Sequence, residues 1–205
     1  MPRRLSIIAG LLLIGGAAAA LAQNAPAQQS PAPGDGWVTL LDGSKMGDWN
    51  RVGEANWRME DGAVVADKKT GEPNAYLVTK TPYKDFQIRA EFWVDTAANS
   101  GIFIRCADPQ KITSASCYEV NIFDTRKDPS YGTGAIVDIA KVDPMPKAGE
   151  KWNTFEITAR GPHLVVLFNG VKTVDVQDTK LASGPFALQY GSGVVKWRKV
   201  QVKEL

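Results

Sequence analysis

Glu91, Arg105, Glu119, Asn121 and Asp124 are the side chains whose types and spacing could do chemistry. Two carboxyl groups of unlike protonation can cleave a glycosidic bond, one giving a proton to the leaving oxygen and the other acting as base or nucleophile. A guanidinium nearby supplies a rigid fork of donors for developing negative charge. The bland alternative is that Arg105 and Glu119 form a structural ion bridge. The oxygen donors Glu91, Glu119, Asn121 and Asp124 would also suit a divalent cation, calcium better than zinc. Two cysteines and a single distant histidine offer no four-ligand zinc spacing.

Period-2 alternation must position these groups. From Gly101 to Cys106, Ile102, Ile104 and Cys106 alternate with Phe103 and Arg105, and from Cys117 to Phe123, Tyr118, Val120 and Ile122 alternate with Glu119, Asn121 and Phe123. Paired as antiparallel neighbours, the two strands put Arg105, Glu119 and Asn121 on one sheet face, with Asp124 at the exit. Phe86 to Val94 is a longer alternating strand carrying Glu91 among its polar positions, which predicts that Glu91 joins the same concavity.

The remaining chain repeats this pattern. Strands are expected at Trp37 to Leu41, Ala75 to Thr79, Pro185 to Tyr190 and Val194 to Lys203. Hairpins are expected through Asp61-Gly62, Gly161-Pro162 and Asn169-Gly170. Residues 125–150 are irregular and rich in Gly and Pro, the material of a loop over the rim of a site. Trp49 and Trp57 read either as apolar cover for a sheet edge or as platforms for a sugar ring. No segment requires a helix, so the domain is all-β, two stacked antiparallel sheets being the economical arrangement.

Residues 1–22 have the form of a signal peptide: Arg3 and Arg4, an apolar run, then Ala20-Leu21-Ala22. Residues 23–35 read as a flexible polar segment and 36–205 as one domain, which places the mature protein in the periplasm or outside the cell without stable membrane insertion. Removing the leader takes 2 of 24 basic residues and none of the 22 acidic ones, changing the formal charge from +2 to 0. That removes the electrostatic case for nucleic-acid binding. Oligomeric state is not legible. Export permits Cys106 and Cys117 to join, while their opposite strand phases demand a twist or bulge between them.

The segments GWVTLLDGSKMGDW, WRMEDGAV, YLVTKTPYKDFQIRAEFWV, NSGIFIR, YEVNIFD, TGAI, EKWNTFEITARG, FNGV and FALQYGSGVVKWRKVQVKEL, in this order, resemble the 3-keto-disaccharide hydrolase family from Gly36 to Leu205. The resemblance implies a concanavalin-like jelly-roll sandwich exported by bacteria, acting on sugars oxidised at C3 by hydrolysis or eliminative cleavage. It points to Glu119, Arg105, Asp124 and Glu91 as catalytic groups and to Asn99, Asn121 and Gln189 as contacts to an oxidised mono- or disaccharide. A C3 ketone acidifies the C2 proton, so one carboxylate could start an elimination. Many members carry a histidine shortly after the residue matching Gln189, whereas here Tyr190, Gly191 and Ser192 follow and the one histidine is His163. That departure keeps a non-catalytic carbohydrate-binding domain, or a structural exported domain, among the readings.

Overall fold

The computed structural model describes residues 35–71 and 74–205. The expected leader and residues 23–34 lie outside the described residues. Thirteen strands follow in order: β1 (Val38–Leu41), β2 (Asn50–Val52), β3 (Arg58–Glu60), β4 (Ala63–Ala66), β5 (Ala75–Val78), β6 (Phe86–Val94), β7 (Ser100–Ile104), β8 (Tyr118–Ile122), β9 (Lys151–Arg160), β10 (His163–Phe168), β11 (Val171–Gln177), β12 (Ala187–Tyr190) and β13 (Val195–Glu204). The alternating segments form strands within one or two residues of their expected ends, and β2 is an addition. At the β10–β11 turn, Asn169 and Gly170 both have positive φ, 50° and 79°. This is the geometry for which Asn-Gly is suited.

The strands build two antiparallel sheets. One has eight strands, ordered β11-β10-β9-β6-β13-β4-β3 with β1 also on β13, and the other has five, ordered β2-β5-β12-β7-β8. Between them lies the main core. Phe92, Phe155 and Trp197 of the larger sheet pack with ring centroids 5.1 and 5.7 Å from Phe92, and Leu77, Ile102, Val120 and Leu188 of the smaller sheet belong to the same apolar cluster. Trp57 is buried in this core. Trp49 packs edge-on to Phe186 and donates its indole N–H to Met46 O. Trp57 therefore acts as apolar cover, while Trp49 packs against the core with part of its ring left at the surface.

The smaller sheet has a second cluster on its other face, made of Tyr76, Val78, Phe103, Cys106, Ile112, Cys117 and Ala187. Cys106 and Cys117 are disulfide-bonded there, joining the two ends of the β7–β8 connection. The phase conflict between them is resolved at Arg105, whose φ of +52° breaks the period-2 alternation immediately after β7. Beyond β8 the chain turns back, and residues 134–137 bond along its free side. Asn121 N–H donates to Ala135 O, Gly134 N–H to Asn121 O and Val137 N–H to Glu119 O.

Candidate active site on the outer face of the five-stranded sheet

Registration places the polar groups of the smaller sheet in a row. Tyr76 of β5 pairs with Gln189 of β12, and Gly101 of β7 pairs with Asn121 of β8. Gln189 and Gly101 are adjacent across β12–β7, since a Cβ on Gly101 would stand 3.6 Å from Gln189 Oε1. The neighbouring row runs Val78, Ala187, Phe103, Glu119. Three apolar residues thus lead up to one carboxyl group, alongside a row of amides and a phenol.

This placement sets the electrostatics. Burial pushes the Glu119 carboxyl up to about 7, with Asp138 raising it further and Arg126 pulling the other way. No hydrogen bond to its carboxylate is present among the described residues. The Tyr76 hydroxyl is also pushed up by burial, against the opposing hydrogen-bonding influence of the Asn74 and Gln189 side chains, and it feels the charge of Glu119. Asn121 is fully buried, and its Nδ2 donates to Tyr131 O at 2.7 Å, which fixes the amide's orientation. Its Oδ1, like Gln189 Oε1, is buried with no hydrogen-bond partner among the described residues.

Three expected catalytic groups lie elsewhere. The Arg105 side chain leaves the polar face at the left-handed turn and is buried at one end of the sandwich, where it donates to Lys84 O, Gly161 O and Leu181 O and contacts Asp85 at 3.3 Å. It ties three connections together and makes no ion bridge with Glu119. Glu91 belongs to β6 in the other sheet, in antiphase to the core residues Ala90 and Phe92, and pairs with Arg198 at 2.8 Å. Period 2 had given its face within the strand correctly but not the sheet. Asp124 accepts from Thr133 Oγ1 at 2.6 Å and from the N–H groups of Ala148 and Gly149, so its carboxylate staples the end of the long loop back to the exit of β8.

Glu91, Glu119 and Asp124 therefore do not converge, and the oxygen set expected for calcium is dispersed. Among the described residues no cluster of three or more His, Cys, Asp or Glu could hold a metal ion. Asn99 precedes Gly101 by two and shares its phase. Its backbone carbonyl accepts from Gly191 and Ser192 N–H, and its amide lies against Gly191, where an added Cβ would be 3.2 Å from Asn99 Nδ2 and 2.7 Å from Asn99 O. The place two residues after Gln189 is thus closed to a side chain as the backbone stands. His163 sits far along the other sheet, paired with Asp175 at 2.7 Å.

Two residues were missed from the sequence. Tyr76 lies in a four-residue strand buried at every position, which shows no alternation to reveal its face. Arg126 stands in the irregular loop after Asp124 and provides the cation that Glu119 feels. A separate cleft of about 800 Å³ opens near Trp49 and Tyr83. Its one carboxylate, Asp48, is paired with Lys80 at 2.7 Å.

The two antiparallel sheets form a concanavalin-like jelly-roll sandwich, and its outer face on the smaller sheet carries one buried acid beside amide and phenol groups. The chain belongs to the family described as the 3-keto-alpha-glucoside-1,2-lyase-like domain, which matches residues 36–203. A 3-keto-disaccharide hydrolase of Bacteroides thetaiotaomicron is 28% identical over 95 residues, 42% of this chain and 32% of that protein. The matched segment therefore spans about a third of that relative's length. Among solved structures, a candidate glycosyl hydrolase from Parabacteroides distasonis superposes with a TM-score of 0.65 at 18% identity, covering 83% of this chain and 89% of that one. The carbohydrate-binding module CBM66 from Bacillus subtilis gives 0.57 at 13% identity, covering 82% and 96%. These two likenesses concern the fold.

Proposed function

We propose that this protein cleaves the glycosidic bond of a 3-keto-α-glucoside by elimination across C1 and C2, with Glu119 as the proton-transfer group. The observation that carries this reading is the Glu119 carboxyl, pushed up to about 7 by burial and left without a hydrogen-bond donor at the end of an apolar row, beside the amide groups of Asn121 and Gln189. Such a group is poised to take a proton near neutrality and return it within one cycle. The family match supports the substrate class.

In the first step Glu119 removes the C2 proton. The C–H electron pair moves into the C2–C3 bond, and the ketone becomes an enolate. Collapse of the enolate then forms the C1–C2 double bond and expels the C1 oxygen substituent, which takes a proton from Glu119. The products are an unsaturated 3-keto sugar and an alcohol, and addition of water to the double bond gives net hydrolysis. Arg126, whose charge Glu119 feels, is the cation suited to the enolate charge, the role expected of Arg105. Asn99, Asn121 and Gln189 contact the ring. Export is part of the same proposal, supported by the leader pattern of residues 1–22.

The test is to incubate the protein with a 3-keto-disaccharide and, separately, with its unoxidised parent, while following released sugar and the absorbance of an unsaturated ketone. Turnover of the keto form alone, abolished in Glu119→Gln, is expected. Equal binding of both sugars with no turnover would replace this reading with a sugar-binding module. Neither binding nor turnover would leave a structural domain.

A further inference from the structure

The outer face of the eight-stranded sheet, across the core from Glu119, carries cations laid over tryptophan rings. Arg89 lies 4.3 Å from the ring centroid of Trp37, Arg198 4.2 Å from that of Trp152 and Lys196 4.9 Å from that of Trp93. Trp93 and Trp152 are registered partners across β6–β9. Each arginine also donates to a carboxylate through Nε, Arg89 to Glu156 at 3.3 Å and Arg198 to Glu91 at 2.8 Å. A ring beneath and a carboxylate beside thus fix the plane of each guanidinium. The Nη groups of both make no hydrogen bond among the described residues, and the two side chains are 44% and 48% exposed. Period 2 with the bulge at Arg198 brings Lys199 and Lys203 to the same face, and Arg160 joins them from the end of β9. Across β13, β6 and β9 this face therefore sets six cations against two carboxylates, in a chain whose formal charge is only +2. Lys196, Lys199 and Lys203 have no ion pair among the described residues.

We propose that this face holds the protein on an acidic polysaccharide, with carboxylates of uronic-acid units seated on the Nη forks of Arg89 and Arg198. A guanidinium meets a carboxylate through two parallel N–H bonds, and a fork already stacked on a ring has less freedom to lose on binding. The cations of β13 run from Lys196 to Lys203, about 20 Å at the ordinary rise of a strand, so one molecule can meet several acidic units in sequence. A lipid surface fits less well. Trp152, the most exposed large apolar side chain of these three strands, reaches 38%, which leaves little apolar surface to enter a bilayer. Attachment here neither blocks Glu119, on the opposite sheet, nor depends on what Glu119 does.

Titration calorimetry of the protein with a galacturonate hexamer tests this, beside a neutral maltohexaose, vesicles of phosphatidylglycerol and a DNA duplex. The galacturonate is expected to bind, more weakly as salt rises, and the neutral sugar is not. Arg89→Gln and Arg198→Gln should each weaken binding roughly 10-fold, and Arg198→Lys, which keeps the charge and loses the fork, nearly as much. Glu119→Gln should bind the galacturonate as the parent does. No binding of the galacturonate, or vesicles or DNA bound as tightly, would overturn the proposal. Full affinity in Arg198→Lys would overturn the seating of carboxylates on the forks. Binding lost in Glu119→Gln and kept in both arginine-to-glutamine variants would move the polymer to the other sheet and overturn the role of this face.

Discussion

Glu119 is the registered partner of Phe103 across the β7–β8 ladder, so its carboxyl leaves the sheet beside an aromatic ring that is 2% exposed. A carboxylate in that position loses water on its Phe103 side and gains no donor in exchange. The backbone register, fixed by the hairpin, is thus a direct cause of the raised proton affinity.

Stability should record this as a dependence on pH. The folded protein holds the Glu119 proton up to about pH 7, whereas the unfolded chain releases it near the ordinary glutamate value. Between those values the native state binds the extra proton, so the contribution to stability is full below the unfolded pKa and is lost as pH rises through the folded one. Glu119→Gln removes the effect. Urea denaturation should find this variant about 2–3 kcal/mol more stable than the parent at pH 8 and nearly equal at pH 4. Activity of the parent should rise as the carboxyl ionises, with a midpoint near pH 7.

Arg126 holds the Glu119 proton less tightly through its positive charge. Arg126→Met should therefore move the Glu119 titration upward, and the rising limb of the pH–rate profile with it. Carbon NMR of the labelled Glu119 carboxyl reads the shift without turnover. An unmoved midpoint would remove Arg126 from the electrostatics of the site.

Arg105 and Glu91 should separate cleanly. Arg105→Met strips a guanidinium that is 1% exposed from three backbone carbonyls and should cost about 3–5 kcal/mol of folding stability. Glu91→Gln loses one partly exposed ion pair and should cost less than about 1 kcal/mol, with catalysis unaltered. Denaturant titration of both variants and the kinetics of Glu91→Gln check the assignment.

Replacing Cys106 and Cys117 together by alanine opens the β7–β8 connection, whose bonded residues are 11 apart in the chain. A loss of about 2–3 kcal/mol is expected from the chain-entropy effect. Cys117 also lies two residues before Glu119 on the same face. Looser packing there should let water reach the carboxyl and bring its titration midpoint below that of the parent.

Alternation made the strands legible, together with the faces of Glu119, Asn121 and Glu91 within them. It carried no information about which sheet a strand enters, so Glu91 was grouped with residues from which a whole core separates it. It also presumed that each strand continues to its last polar residue, and one left-handed residue at Arg105 was enough to turn that side chain off the face that carries Glu119. Asp124 read as reactive because its hydrogen-bond partners, Ala148 and Gly149, are more than twenty residues away and use backbone N–H groups. The family resemblance supplied Gln189, whose neighbour Tyr76 becomes visible only through the β5–β12 register.

Glu119 and Asn121 stand on β8, the last strand of its sheet, and terminal strands invite a second chain to add itself alongside. Here the returning segment of residues 134–137 already occupies backbone groups of both residues. A strand from another molecule would have to displace it before extending the sheet at that margin. Crowding should therefore leave the two residues unblocked, and association through strand addition would begin at the opposite margin, on β2.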